Sequence, residues 1–438
     1  MLLQTIVLAL GIASVAQAAN SWIVPGAAWM STSNTKIDAH GGMVYKQGDT
    51  FYWVGQSASH NEQPYMYTST NLLDWTPASN PKNSIQYMWR PKVAKPNGSW
   101  WIYGQVDRNV QAMKASTIDG SYALSGGKVT LPPSGYTYSD TGMKSMFRDD
   151  ADQTWYLLTS ADHNTVQINR INSDGTVGDR VNYLAKGAYE APGMLKVNGI
   201  YYLIVSGKTG WRSNPNQVFW TDKIVGGSWN GPVGIAPEAE KTYNSQNTFE
   251  LTVTGSKKTT YIYMGDSWDS KGGPDSNYVW LPITADTSGK KLTLEYHAQW
   301  KIDVATGEVQ VPSVKRRYEA EHATLEGRAA VARCENCLSK RGVQQLNEGV
   351  VSFANVTGLG GPQWVQFHYR VPPSSDAEAW VSVNDGPAVN ISTLNHRAGY
   401  HGVVPIQLDL NEGSENTISF GTNGDEGIVL DGIEVVED

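Results

Sequence analysis

The sequence predicts an all-β protein, a five-bladed β-propeller followed by a β-sandwich of jelly-roll type. Three observations carry this reading. An aromatic strand recurs as Phe51-Tyr-Trp-Val-Gly, Trp100-Trp-Ile-Tyr-Gly, Trp155-Tyr-Leu-Leu, Tyr201-Tyr-Leu-Ile-Val and Tyr261-Ile-Tyr-Met-Gly, at spacings of 49, 55, 46 and 60 residues. No stretch places its apolar residues at a helical period. Beyond Tyr318 a second set of short alternating strands begins, including Trp364-Val-Gln-Phe-His-Tyr, Ile406-Gln-Leu-Asp-Leu and Ile428-Val-Leu-Asp-Gly-Ile.

The elements follow in order. Met1 to Ala19 has an apolar run, Ile6 to Val15, and the small-residue pattern Ala16-Gln-Ala-Ala, which reads as a secretory signal peptide (1–19) and predicts a secreted, extracellular protein. Residues 20–310 hold the repeat. Turn chemistry precedes each aromatic strand: Gly48-Asp49, Asn97-Gly98, Asp149 to Asp152, Asn198-Gly199 and Gly255 to Lys258. A further apolar run lies upstream of each turn, so each copy reads as a hairpin. Five hairpins at a period near fifty residues predict five four-stranded blades. Residues 311–317, with Pro312 and the run Lys315-Arg-Arg, read as a linker, and 318–438 as the sandwich.

Composition narrows the function. The formal net charge of −8 is spread along the chain, which argues against nucleic acid and anionic membranes as partners. Sixteen Trp and 22 Tyr suit surfaces that are half apolar and half wet, such as sugar clefts. No organic cofactor is implied, and a monomer is expected. Cys334 and Cys337 read as a local disulfide in an oxidising compartment.

In a propeller the first strands of all blades converge on one channel. Stepping back eleven residues from four of the aromatic strands gives His40, Trp89, Lys144 and Glu190; the fifth copy has a longer turn, and its strand head falls at Gln246. Glu190 is the one carboxyl of this ring. Set among apolar residues in Tyr189-Glu-Ala-Pro-Gly, it suits a proton donor with a raised pKa.

The chained motifs Ala39-His-Gly-Gly, Arg90-Pro-Lys-Val, Tyr189-Glu-Ala-Pro-Gly, Gly210-Trp with Asn214-Pro-Asn, Ser245-Gln-Asn, Met264-Gly-Asp and Trp280 resemble the exo-β-1,3-galactanase branch of glycoside hydrolase family 43. The resemblance implies an inverting exo-glycosidase on β-1,3-galactan or arabinogalactan-like polysaccharide, with Glu190 as general acid and Gln246 beside the attacking water. It implies substrate contacts from His40, Gln56, Trp89, Arg90, Lys144, Trp211, Asn214, Asp266 and Trp280, with Trp211 and Trp280 stacking on sugar rings. This chain departs from the branch at Gln56, Trp89, Met143 and Lys144, where the branch has acidic residues. A lysine beside Glu190 would lower its pKa. A catalytically degenerate, glycan-binding propeller and a glycosidase of altered specificity therefore stay open. Tyr318-Glu-Ala-Glu and Leu430-Asp-Gly-Ile-Glu-Val resemble carbohydrate-binding module family 35, which implies a structural Ca2+ held by Glu319, Glu321 and Asp431.

Overall fold

Each aromatic strand is the second strand of a four-stranded antiparallel sheet. The computed structural model describes residues 22–129, 131, 144–161, 165–185, 187–269, 271–312, 315–370, 378–391, 401–424 and 427–436. The leader reading over 1–19 and Met143 lie outside these residues. Five such sheets follow in chain order, each with its strands in sequential order. Their first strands are His40–Gln47, Trp89–Ala94, Lys144–Arg148, Tyr189–Val197 and Gln246–Thr254. The second strands, such as Trp100–Val106, are buried along their length, which is why they read as continuous apolar runs rather than alternating ones.

Each first strand touches the first strand of the next sheet, and the fifth touches the first again. The apolar cores lie between neighbouring sheets. Phe147 and Leu158 of the third pack with Leu203 and Phe219 of the fourth. Leu195 and Tyr202 of the fourth pack with Tyr263 and Leu281 of the fifth. Val44 and Trp53 of the first close the cycle on Ile262 and Trp280 of the fifth. Beyond the fifth sheet, Trp300 exchanges backbone hydrogen bonds of 2.7 and 3.0 Å with Ile23, tying the two ends of this region together.

The C-terminal region forms a six-stranded and a five-stranded antiparallel sheet around one core, where Phe367 of the first stacks on Phe420 of the second at 5.4 Å. Its first strand, Lys315–Glu319, pairs with Gly432–Val436. Lys315, Arg316 and Arg317 are thus sheet residues, and the linker read over 311–317 ends before them. The basic run misled because a charged strand is well tolerated at a sheet edge.

Candidate functional site

The five strand heads found from the repeat are the first residues of the inner strands, with Glu190 one residue inside its strand. In four sheets the pairing with the second strand breaks just after the head: between His40 and Met43, Trp89 and Lys92, Glu190 and Gly193, and Asn247 and Phe249. Such bulges re-aim side chains and are frequent beside active sites. At three of them the residue after the head is left-handed: Gly41 at φ +59°, Arg90 at +49° and Ala191 at +49°. Two of these carry a Cβ, a strain that packing must hold in place.

The packing that holds them is polar. Arg90 is fully buried; its backbone N–H donates to Gln56 Oε1 at 2.7 Å, and Gln56 Nε2 donates to Glu62 at 2.7 Å. The Arg90 guanidinium donates to Gln246 Oε1 (2.7 Å), Thr248 Oγ1 (2.9 Å) and the Asn247 carbonyl (3.1 Å). Asp266 accepts from Thr248 Oγ1 at 2.8 Å and from the Gly41 N–H at 3.0 Å, and faces His40 Nδ1 at 3.4 Å. His40 lies stacked on Tyr278, ring centroids 4.7 Å apart. The charges of His40 and Arg90 and these hydrogen bonds together hold the Asp266 carboxyl below its ordinary range, against the upward push of burial.

Glu190 stands on this base, 1% exposed. Gln246 Nε2 donates to Glu190 Oε1 at 2.7 Å and to Ser206 Oγ at 3.1 Å, while Gln246 Oε1 also accepts from the Trp268 indole N–H at 2.9 Å. Both ends of the Gln246 amide are therefore fully used. Glu190 Oε2 is buried without a hydrogen-bond partner. Burial pushes the Glu190 carboxyl up to about 7, against the charges of Arg90 and Lys208 and the Gln246 hydrogen bond. The lysine whose charge reaches Glu190 is Lys208, and burial outweighs it. Lys144 heads its strand, paired with Thr159, but its side chain lies outside the described residues.

Three half-buried indoles line up beside this centre: Trp89 lies 5.8 Å from Trp211, and Trp211 lies 5.1 Å from Trp268. Trp268 was missed in the sequence; its signal was its place two residues past Asp266, just beyond the end of that strand. Several predicted substrate contacts belong instead to the framework. Trp280 is wholly buried, with Trp29 and Trp53 at 5.0 and 4.7 Å, so it offers no face to a sugar. Asn214 spends its amide on the N–H and C=O of Gly207, at 2.8 and 2.9 Å, which pins the loop carrying Trp211. His40, Gln56, Arg90 and Asp266 are likewise buried and engaged within the protein. A further carboxyl, Glu250, lies under the site. A Cβ at Gly193 would meet its Oε1 at 2.2 Å, which accounts for the glycine after Pro192.

In the C-terminal region Arg317 donates from Nε to Glu319 at 2.8 Å and pairs with Asp431 through Nη2 at 2.9 Å. Glu321 falls in the 3-10 turn Ala320–His322, so the strand alternation expected to bring it to Glu319 and Asp431 stops short. No group of three His, Cys, Asp or Glu side chains placed to hold a metal ion is found among the described residues. Glu319 Oε2 and Glu321 Oε2 are buried without partners and are the oxygens open to a cation. Cys334 and Cys337 form the expected disulfide.

An all-β chain whose sheets meet around a buried, protonatable carboxyl flanked by indoles has the make-up of a carbohydrate hydrolase. The family model for glycosyl hydrolases family 43 matches residues 36–287, and the chain belongs to that family. It is an enzyme of the glycoside hydrolase class, close in structure to an exo-β-1,3-galactanase. The exo-β-1,3-galactanase of Phanerochaete chrysosporium, solved with galactose, shares 32% identity over 94% of this chain and 100% of its own, with a TM-score of 0.84. The same enzyme with one glutamate replaced by glutamine, solved with β-1,3-galactotriose, superposes with a TM-score of 0.85 over 94% of this chain and 99% of its own, again at 32% identity. The exo-β-1,3-galactanase of Clostridium thermocellum shares the fold, at 22% identity over 95% of this chain and all of its own, with a TM-score of 0.60. These neighbours make the fold propeller-type. Nothing among the curated proteins searched matches the chain.

Proposed function

We propose that this chain is a secreted exo-acting galactanase that cleaves β-1,3-galactan with inversion, on a propeller of five blades with a carbohydrate-binding β-sandwich behind it. The observation that carries the reading is Glu190: a buried carboxyl near pKa 7, one oxygen fixed by Gln246 and the other unpartnered. Below pH 7 that oxygen holds a proton it can give to the glycosidic oxygen as the bond to the anomeric carbon breaks, while water attacks the opposite face. The fungal relative's complexes with galactose and β-1,3-galactotriose support the choice of substrate.

Gln246 is a positioning residue in the free enzyme. With four hydrogen bonds in place, it holds an attacking water only when substrate displaces one of them. Trp89, Trp211 and Trp268 supply aromatic faces for sugar rings. The wholly neutral or basic set of other strand heads favours the second reading, a propeller that binds glycans without turnover. Incubation with β-1,3-galactan, with the product anomer followed by NMR, separates the two. Release of α-galactose supports inversion and exo-action, and binding without any release overturns the enzymatic reading for this substrate.

Calcium in the C-terminal region rests on Glu319 Oε2 and Glu321 Oε2, with Asp431 joining once Arg317 yields. A bound ion would supply structural stability there and no chemistry. Chelation is expected to lower the melting temperature by several degrees, since losing a ligand held at 100 Kd costs about 2.7 kcal/mol. A melting temperature indifferent to chelator would leave Arg317 as the counter-charge.

A further inference from the structure

Beside the catalytic centre, on the far side of Trp268, a cavity of about 320 Å³ opens between the propeller-type region and the C-terminal sheets. Trp268, Tyr243, Asn244 and Asn277 form one wall; His368 and Val404 stand on the other. Its volume falls at the small end of ligand pockets, roughly 300–1,000 Å³, which suits a single sugar unit.

Three observations mark this cleft as a built site. First, Trp268 borders both spaces: its indole N–H donates to Gln246, and it also lines the cleft. Second, Lys241–Asn244 is a turn of four consecutive non-glycine residues in the left-handed region, with φ of 44°, 55°, 53° and 58°. Left-handed backbone costs roughly 1–2 kcal/mol per residue, and such strain concentrates at functional sites. This turn delivers Tyr243 and Asn244 to the cleft and runs directly into Ser245 and Gln246. Third, Asn277 lines the cleft and its Oδ1 is buried with no hydrogen-bond partner, an acceptor the fold leaves unused and a small turn of the amide would bring to a hydroxyl.

The lining also selects the ligand. Tyr243 packs at 5.3 Å against Tyr296, which lines the same wall, giving an aromatic surface suited to the C–H face of a pyranose. Glu240, Asp269 and Asp275 also line the cleft and add carboxylates, which accept hydroxyl hydrogen bonds and repel uronic acids and other anions. We propose that this cleft is a second saccharide-binding site, taking one neutral hexose unit and completed by the C-terminal region. That region would then complete a sugar site next to the reaction centre.

The test titrates the full chain calorimetrically with galactose, which offers no glycosidic bond to cleave. Two binding events per chain are expected, one of which disappears when Val404→Trp fills the cleft. In the otherwise unmodified enzyme, Val404→Trp should raise KM for β-1,3-galactan about tenfold and leave turnover of an aryl β-galactoside unchanged. Asn277→Ala gives the same pattern at about threefold, and serves if the tryptophan variant fails to fold. An unchanged event count and an unchanged galactan KM in a variant that melts like the parent would overturn the proposal. The binding count stands apart from catalysis, so a chain with no galactanase activity still shows whether the cleft takes a sugar.

Discussion

Replacing Gln246 by glutamate tests the electrostatics of the centre most sharply. The substitution keeps the shape of the side chain and puts a carboxylate where an amide now donates to Glu190 Oε1 at 2.7 Å. Two unit charges about 4 Å apart at an effective dielectric of about 20 interact by about 4 kcal/mol. Arg90, 2.7 Å from the side-chain oxygen that the substitution keeps, offsets a large part of this. A net shift of one to two pKa units on Glu190 remains, or about 1.4–2.7 kcal/mol at 1.36 kcal/mol per unit. Glu190 acts as an acid, so activity is present while it is protonated and is lost as pH rises through its pKa. In the parent the alkaline limb of kcat/KM is expected near pH 7. In Gln246→Glu that limb should move up by one to two units, read on an aryl β-galactoside across pH 5 to 9. A limb that stays in place, or moves down, would refute the assignment of the limb to Glu190.

Two more outcomes follow from the supporting network. Gly41→Ala should lower stability by about 2–4 kcal/mol, because its φ is +59° and the new Cβ would stand 2.6 Å from Arg90 Cγ; calorimetric melting checks it, and an unshifted melting temperature contradicts the packing described. Glu250 is pushed by burial from an ordinary value of 4.5 up to about 8, against Asn247, the Met194 N–H and Lys92. The folded state holds this proton more tightly than the unfolded one, so the group's contribution falls as pH rises from about 4.5 through about 8. Glu250→Gln should therefore gain melting temperature relative to the parent at pH 8 and not at pH 4, as parallel melts would show.

Much of this arrangement was legible in the residues. The aromatic strands are buried on both faces, so they stand out as apolar runs; counting back from four of them reached His40, Trp89, Lys144 and Glu190 as strand heads, and allowing for the longer turn of the fifth copy reached Gln246. The direction of each head was hidden, because a bulge follows four of them and a bulge depends on pairing with the next strand. Burial was hidden for the same reason. Asp266 and Arg90 look like ligand contacts in a string of letters, and only the third dimension turns them toward His40 and Thr248. Trp280 carried a motif's expectation of stacking, but its ring faces other tryptophans. Glu321 was misplaced because a strand period was extended across what is a 3-10 turn.

The proposed chemistry rests on the proton of Glu190, and single-turnover cleavage of β-1,3-galactobiose by Glu190→Gln, measured alongside the affinity for the same disaccharide, tests it most directly. The rate should fall by about 10²–10⁴, the usual worth of a positioned acid, with Kd within a factor of about three of the parent. A rate within about threefold of the parent would mean that the proton comes from elsewhere.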